Sequence, residues 1–196
     1  MAEKVDRRVR KTKAQLRAGL ARLMQKKSIK EITVKELVEE VDINRSTFYL
    51  HYTDIYQMLE SIEAELMEEI THLVADYPLD PLNNKESSYP FIEQIFTILD
   101  HNKDICIALL GKNGDMAFVN RIEKLIADTV LHRLSIRLPK DNRDIEYAYA
   151  FCLNGCVGMI KTWLSSENQE SIQHMAELTH KLIDNTTHMY LEQALR

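Results

Sequence analysis

The sequence has little cysteine and glycine, and each shortage excludes a class of protein. Its three cysteines, Cys106, Cys152 and Cys156, are odd in number and lack CxxC spacing, which argues against a disulfide framework and against a zinc site. The five glycines form no phosphate-binding loop, and the chain has neither a GxSxG elbow nor a paired-carboxylate signature. We therefore predict a protein that is not an enzyme and that needs no cofactor and no metal.

Long hydrophobic runs are also missing. No apolar stretch approaches the length of a membrane span. The first residues, MAEKVDRRVRKTK, lack the apolar core of a signal peptide. From these absences and from the unpaired cysteines we expect a cytoplasmic protein that does not bind a membrane.

Charge is distributed unevenly along the chain. Residues 1–52 contain 13 Lys and Arg against 7 Asp and Glu, a net charge of +6, whereas residues 53–196 contain 12 against 23, a net charge of −11. The two parts add to the net charge of −5 for the whole chain. A basic end on an acidic body favours a DNA-binding head attached to a part that does not touch DNA.

Apolar residues recur at helical intervals, and no segment alternates with period two. The longest pattern runs from residue 53 to about residue 76, and three of the four prolines, all within residues 77–90, end it. We predict an all-α protein with a three-helix head and a larger helical domain, divided into residues 1–52 and 53–196. The further helices are expected at about 91–102, 104–110, 116–138, 143–164 and 169–195.

Residues 33–52, TVKELVEEVDINRSTFYLHY, predict two short helices joined by a tight turn. Thr33 and Glu36 have the spacing of a capping box, which starts the first helix. Residues 42–44 break it, because Asp and Asn accept left-handed backbone and bond to nearby N–H groups. Asn44 is then placed to cap the second helix.

The second helix keeps only Phe48 clearly apolar and inward. The first residues of such a helix reach base edges when it lies in a major groove, and here they are Arg45, Ser46 and Thr47. A solvated surface helix is the alternative interpretation of this stretch. Because the helix is both short and polar, we favour a partner surface, namely double-stranded DNA.

This stretch resembles the N-terminal domain of the TetR family of bacterial regulators. Residues 33–38 match its Thr-x-x-x-Ile/Leu-Ala segment, residues 44–52 match its Ser-x-x-Thr-Phe/Leu-Tyr-x-His-Phe segment, and the resemblance covers roughly residues 8–68. The resemblance implies a helix-turn-helix DNA-binding domain. We assign DNA contacts to Lys13, Thr33, Val34, Lys35, Asn44, Arg45, Ser46, Thr47, Tyr49, His51 and Tyr52.

Two positions depart from the family pattern. Asp42 replaces the usual Gly, which Asp tolerates in a left-handed turn. Ile55 replaces a Lys that touches phosphate in many members, which puts that contact in doubt. We expect Thr53 to cap the helix that starts there.

The C-terminal part is similar to a TetR subgroup that includes regulators of dihydroxyacetone kinase genes, through residues 101–118 and 155–163. The resemblance implies a cavity for a small apolar or amphipathic ligand. The alternative is that the candidate side chains are simply core. The candidate lining residues are Phe96, Phe118, Tyr149 and Met159.

The last two helices are predicted to form a homodimer interface. Gly155 and Gly158 let another helix approach closely, and a seam of apolar residues and threonines between 172 and 189 repeats at alternating steps of three and four. A single short recognition helix reads few base pairs, whereas two copies about 34 Å apart read a palindrome. The predicted interface residues are Gly155, Trp163, Ile172, Met175, Thr179, Leu182, Thr186 and Met189.

The sequence therefore predicts a homodimeric transcriptional regulator, a repressor whose binding to a palindromic operator is controlled by a ligand in residues 53–196. The alternative is a DNA-anchored interaction protein or co-activator whose C-terminal domain binds a protein partner. A closed, fully packed C-terminal domain favours the alternative, whereas an apolar cavity of roughly several hundred Å³ favours ligand control.

Overall fold

The computed structural model describes residues 2–76, 88–135 and 143–194, and every regular element in these segments is helical, as predicted. No helix within them is long and apolar enough to span a membrane. In chain order the elements are α1 (Ala2–Lys26), a 3₁₀ turn (Ile29–Glu31), α2 (Val34–Glu40), α3 (Arg45–Tyr49), α4 (Ile55–Asp76), α5 (Ser88–His101), α6 (Lys103–Leu110), α7 (Met116–Ser135), α8 (Arg143–Ser165) and α9 (Ile172–Ala194).

Several helix boundaries differ from the predicted ones: α3 ends at Tyr49 and not near Tyr52, α5 begins at Ser88 and not near residue 91, and α9 begins later than predicted. α3 is followed by a tighter turn, because the backbone N–H of His51 bonds to the carbonyl of Phe48, three residues back, at 2.9 Å. α9 begins at Ile172 and not at 169, because the hydroxyl of Ser171 accepts from the backbone N–H of His174 at 3.1 Å. The sequence pattern predicted the apolar face of α9 but not its N-cap residue, Ser171.

Among the described residues, 1–66 and 102–119 form one compact unit. α1 supplies its central stripe, and Leu16 and Leu20 have no exposed surface. α1 packs on α2 and on α6, and burying each such leucine contributes roughly 1.5–3 kcal/mol. The other fully or nearly fully buried side chains include Met24, Leu37, Phe48, Met58, Ile62, Ile105 and Leu109.

Gly19 brings α1 and α2 close together. A Cβ atom at this position would overlap the side chain of Val41 and lie 3.1 Å from Cδ1 of Leu37. The absence of a side chain at Gly19 therefore sets the spacing at which α2 packs on α1.

Residues 67–101 and 120–196, where described, form the second unit. α9 packs on α5 and on α8. Phe96 meets Trp163 edge to face at 5.1 Å between ring centroids, and the Trp163 indole N–H donates to the carbonyl of Glu170 at 2.9 Å. Both rings are buried, so this aromatic pair is part of the core of the second unit.

These units do not follow the division at residue 52 that the sequence suggested. Residues 102–119 group with the N-terminal part because α6 packs on α1, and α4 contributes Ile55, Met58 and Ile62 to the same core. The functional division into a DNA-binding part, 1–52, and a regulatory part, 53–196, stays a prediction.

Candidate nucleic-acid interface

The start of α2 is fixed by reciprocal hydrogen bonds between Thr33 and Glu36. The backbone N–H of Glu36 donates to the Thr33 hydroxyl at 3.2 Å, and the backbone N–H of Thr33 donates to the Glu36 carboxylate at 3.0 Å. The predicted capping box is confirmed. The Thr33 hydroxyl also donates to this carboxylate at 3.0 Å. Its one proton is thus used within the cap, which leaves Thr33 a weaker candidate for a DNA contact.

Two further predicted contacts lie in the first turn of α2. Val34 is half-buried, whereas the Lys35 side chain is 65 % exposed. The Lys35 ammonium group is 3.9 Å from the Glu39 carboxylate, an exposed pair that holds a lysine only weakly. Lys35 is therefore accessible to a phosphate.

The turn between α2 and α3 is a Schellman motif closed by Asp42. Asp42 has a φ of 53°, the left-handed conformation predicted for the residue that replaces glycine. The backbone N–H of Ile43 donates to the carbonyl of Val38 at 3.0 Å, and that of Asp42 donates to the carbonyl of Glu39 at 3.4 Å. These two bonds satisfy backbone carbonyl groups at the C-terminal end of α2 and fix the direction of α3 relative to α2.

α3 buries one side chain and exposes most of the others. Phe48 has no exposed surface, whereas Asn44, Arg45 and Ser46 are exposed and Thr47 is half-buried. Asn44 occupies the N-cap position as predicted, but its side chain makes no capping hydrogen bond. The first turn of α3 therefore presents an amide, a guanidinium group and a hydroxyl on its surface.

Tyr49 and Tyr52, at the C-terminal end of this segment, differ in exposure. Tyr49 is 57 % exposed and meets Phe48 edge to face at 5.4 Å between centroids. Tyr52 is 6 % exposed, and burial raises the pKa of its hydroxyl. The ring of Tyr52 therefore packs inward, and we leave it out of the proposed DNA contacts. His51 is half-buried between them.

Lys13 of α1 lies beside this segment. Its Nζ atom is 5.7 Å from the centroid of the Tyr52 ring, within the range of a cation–π contact. Lys13 also lines a pocket of about 180 Å³ with Ala14, Arg17, Tyr52, Ile62 and Glu65. Tyr52 thus helps to hold Lys13 next to α3.

The start of α4 is capped by Asp54, not by Thr53 as we expected. The carboxylate of Asp54 accepts from the backbone N–H of Gln57 at 2.8 Å, and the backbone N–H of Thr53 donates to the Gln57 side chain at 3.3 Å. Asp54 is the better cap because a carboxylate is favoured near a helix N-terminus. Ile55 is 3 % exposed, so this position belongs to the core and offers nothing to a phosphate.

The four candidate ligand residues fall in different environments. Phe96 is 1 % exposed against Trp163, and Phe118, 4 % exposed, belongs to the other compact unit. Met159 and Tyr149 are half-buried on α8. The four residues therefore do not outline one site within a single unit.

The predicted interface residues divide between core and surface. Trp163, Met175 and Thr179 are 4–7 % exposed and pack within the second unit, because the apolar stripe of α9 faces α5 and α8 of its own chain. The side chain of Met189 lies outside the described residues. Gly155 and Leu182 are exposed, and Ile172 and Thr186 are half-buried.

The C-terminal half of the chain matches a known family. Residues 86–185 fit the family model TetR_C_8, described as the C-terminal region of transcriptional regulators. The chain belongs to the TetR family of transcriptional regulators. Its head carries the helix-turn-helix of these DNA-binding proteins, as the sequence predicted.

A curated relative and two solved structures are similar to this TetR-family protein. The uncharacterized HTH-type transcriptional regulator YxbF of Bacillus subtilis strain 168 is 19 % identical over 180 residues. That alignment covers 91 % of this chain and 46 % of YxbF, so the chain spans about half the length of that relative.

The crystal structure of a TetR transcriptional regulator from Streptococcus agalactiae 2603V is 21 % identical, with a TM-score of 0.56 over 93 % of this chain and 99 % of that one. The dihydroxyacetone kinase operon activator DhaS is 14 % identical, with a TM-score of 0.49 over 93 % and 96 % of the two chains. At such identities the first of these structures supports the fold alone.

The head also exposes two apolar residues that the sequence did not predict to be surface features. Leu50 is 79 % exposed and Tyr56 is 52 % exposed. The helical spacing predicts that Leu50 faces outward. It lies four residues after Ser46 and two from each of the inward residues Phe48 and Tyr52. The DNA contacts predicted from the sequence did not include it.

Proposed function

We propose that this TetR-family protein is a homodimeric repressor that binds a palindromic operator with α3 in the major groove. The observation that carries the proposal is the contrast within α3, where Phe48 is fully buried while Arg45 and Ser46 are exposed. A helix anchored by one side chain and exposing the rest matches the way a recognition helix is held. The net charge of +6 over residues 1–52 supplies the attraction to phosphates.

The assigned side chains divide in this proposal between contacts to bases and contacts to phosphates. The guanidinium group of Arg45 can bond to a guanine edge with two donors, and the amide of Asn44 can pair with adenine. The hydroxyl of Tyr49 and the ammonium groups of Lys13 and Lys35 bind phosphates, which positions the head without reading sequence. Ser46 and Thr47 add hydroxyl contacts to either bases or phosphates.

Selection of duplexes from a random library by the full-length protein, followed by affinity measurements, tests the DNA-binding proposal. Arg45→Ala should weaken binding to the selected duplex by roughly 1–3 kcal/mol. Arg22→Ala is the matched control, because it removes the same charge from an exposed position on α1 that bonds to Glu40. Equal losses for the two variants, or no preferred duplex, would overturn the proposal.

The proposed dimer uses the exposed faces of α8 and α9. Tyr147 and Phe151 are about 70 % exposed, and a Cβ atom at Gly155 or Gly158 would meet nothing within 4 Å. Large exposed apolar side chains beside bare helix backbone support close packing against a second copy. On α9, Leu182 extends the same kind of surface.

We also propose that a small apolar or amphipathic ligand controls operator binding through α8. Tyr149 is the best-supported contact, since its hydroxyl is buried and has no hydrogen-bond partner among the described residues. Burial, chiefly, raises the pKa of this hydroxyl, and the nearby thiols of Cys156 and Cys152 raise it further. A ligand that binds there can change operator affinity only if it prefers one arrangement of the two heads.

Thermal-shift screening of small apolar compounds tests ligand control, with Tyr149→Phe as the comparison. A compound that bonds to the hydroxyl should raise the melting temperature of the unaltered protein more than that of the variant. Equal shifts would remove Tyr149 from the site.

The second candidate is a DNA-anchored protein whose C-terminal domain recruits a protein partner, acting in the cytoplasm like the repressor. Phe96 favours it, because this ring is 1 % exposed and packs edge to face on Trp163. Operator affinity that no small molecule alters, together with a bound protein partner, would support this second function.

A further inference from the structure

Leu50 is the most exposed of the large apolar side chains in the described residues. It is 79 % exposed, against 57 % for Tyr49 and 52 % for Tyr56, the other exposed apolar residues of this size between residues 7 and 66. Isolated exposed leucines are common on protein surfaces. Leu50 differs from them because it lies within the segment that the proposed function places in a DNA groove.

The backbone keeps Leu50 in the register of α3. Its N–H donates to the carbonyl of Ser46 at 3.2 Å, and its φ and ψ of −72° and −18° are helical. The N–H of Tyr52 also bonds four residues back, to the carbonyl of Phe48, at 3.0 Å. Leu50 therefore keeps the helical register of α3, and the tighter turn at His51 follows it.

This register places Leu50 opposite the core. Each residue turns a helix by about 100°, so Leu50 is about 160° from both Phe48 and Tyr52. Those two side chains are 0 % and 6 % exposed. Leu50 consequently points outward, one helical turn beyond Ser46 on the same face.

The surroundings of Leu50 favour DNA over an apolar protein partner. No Asp or Glu occurs between residues 43 and 53, whereas Arg45 is exposed on the same helix and residues 1–52 carry a net charge of +6. A cationic surface with one aliphatic side chain matches a major groove, which combines phosphates and polar base edges with one apolar group, the C5 methyl of thymine.

We propose that Leu50 contacts the C5 methyl of a thymine in each operator half-site and thereby contributes to sequence preference. This inference rests on the proposed function, since it requires α3 to lie in the major groove. Arg45 and Asn44 read polar base edges from the first turn of the helix, and Leu50 reads an apolar one from its end. The operator is therefore expected to hold a thymine at a fixed distance from the bases that Arg45 contacts.

Removal of single methyl groups from the DNA tests the contact. The duplex selected by the full-length protein is prepared with each thymine replaced in turn by deoxyuridine, which lacks only the methyl group, in one half-site. Fluorescence anisotropy at fixed salt then gives the affinity of each duplex. At one thymine the replacement should weaken binding about fourfold, the effect of withdrawing one methyl group from an apolar contact.

The variant Leu50→Ala identifies the side chain responsible. It should bind the original duplex more weakly, by about fourfold for each half-site, and should bind thymine and deoxyuridine duplexes equally at that position. Met116→Ala is the matched control, because Met116 is 53 % exposed on α7 and has no place in the proposed interface. This control should keep both the affinity and the response to deoxyuridine.

Two results would overturn the assignment while leaving the proposed function intact. One is a selected duplex in which no thymine responds to replacement by deoxyuridine. The other is a response that Leu50→Ala retains in full. A selection that enriches no sequence would instead overturn DNA recognition by α3, and the role of Leu50 with it.

Discussion

Arg17 of α1 donates a hydrogen bond from Nη2 to Oδ1 of Asn102, the residue before α6, at 2.7 Å. Its Nη1 atom lies 3.3 Å from the carboxylate of Glu65 on α4. One guanidinium group thus joins three helices that are distant in sequence. Asn113 adds a second link, because its side chain donates to the carbonyl of Met24, near the end of α1, at 3.3 Å.

We predict that Arg17 and Asn102 are coupled energetically. Arg17→Ala and Asn102→Ala should each lower the free energy of unfolding, and the double variant should lose less than the sum, by about 0.5–2 kcal/mol. Urea unfolding of the four proteins measures this difference. Arg22→Ala is the control, since its partner Glu40 is on the surface and such pairs contribute little. Strictly additive losses would show that the hydrogen bond has no energetic role.

The contact between α1 and α6 is a feature of the fold that could not be predicted from the sequence. Residues 102–119 join the head through contacts between residues distant in sequence, such as the hydrogen bond from Arg17 to Asn102, 85 positions apart. No local sequence pattern predicts such a contact. The capping box at Thr33 and the left-handed turn at Asp42 were predictable, because each depends on a few neighbouring residues.

Helical periodicity identified the apolar face of each helix but not the helix against which that face packs. The pattern of α9 predicted a packing seam, yet Met175 and Thr179 face their own chain and not a second copy. Tyr52 was assigned to DNA from the family pattern, although its spacing of four from Phe48 places it on the buried face. In the first case tertiary packing decided which face is buried, whereas the burial of Tyr52 follows from its helical spacing.

Gly19→Ala should destabilise the head although alanine is the better helix former. The added Cβ atom would overlap Val41 and crowd Leu37, and overpacking of this kind costs about 1–3 kcal/mol, more than the ~1 kcal/mol that alanine contributes in a helix. Thermal unfolding measures the loss. The variant Gly19→Ala/Val41→Ala is the control: removing the obstructing methyl groups should make the substitution at Gly19 less costly than in the unaltered chain. A more stable Gly19→Ala protein would mean that α1 and α2 are farther apart than described.

Phe151→Arg should separate the proposed dimer without unfolding the protomer. Phe151 is 70 % exposed, so the isolated chain can accommodate an arginine there, whereas an interface between two copies would bury the charge. Analytical ultracentrifugation at micromolar concentration should show a dimer for the unaltered protein and at least tenfold weaker association for the variant. Met116→Arg, an exposed apolar position on α7, is the control and should remain dimeric. A dimer that tolerates Phe151→Arg would exclude this face of α8 from the interface.

The carboxylate of Glu36 gives the head a stability that depends on pH. Hydrogen bonds from the Lys27 ammonium group, from the backbone N–H of Thr33 and from its hydroxyl lower the pKa of Glu36 from 4.5 to about 2. Because the folded-state pKa lies below the ordinary value, the charged form stabilises the fold. This contribution is complete above about pH 4.5 and is lost as the pH falls towards 2.

Glu36→Gln should therefore lower the melting temperature most above about pH 5, and the difference from the unaltered protein should shrink towards pH 2. Lys27→Met removes the largest cause of the shift, so in that background the pKa of Glu36 should rise towards 4.5 and the effect of Glu36→Gln should become smaller. NMR titration of the Glu36 side-chain carboxyl carbon measures its pKa in the unaltered protein and in the Lys27→Met variant. A titration midpoint near 4.5 for Glu36 in the unaltered protein would mean that Lys27 and Thr33 do not hydrogen-bond to its carboxylate. The capping box would then not fix the start of α2.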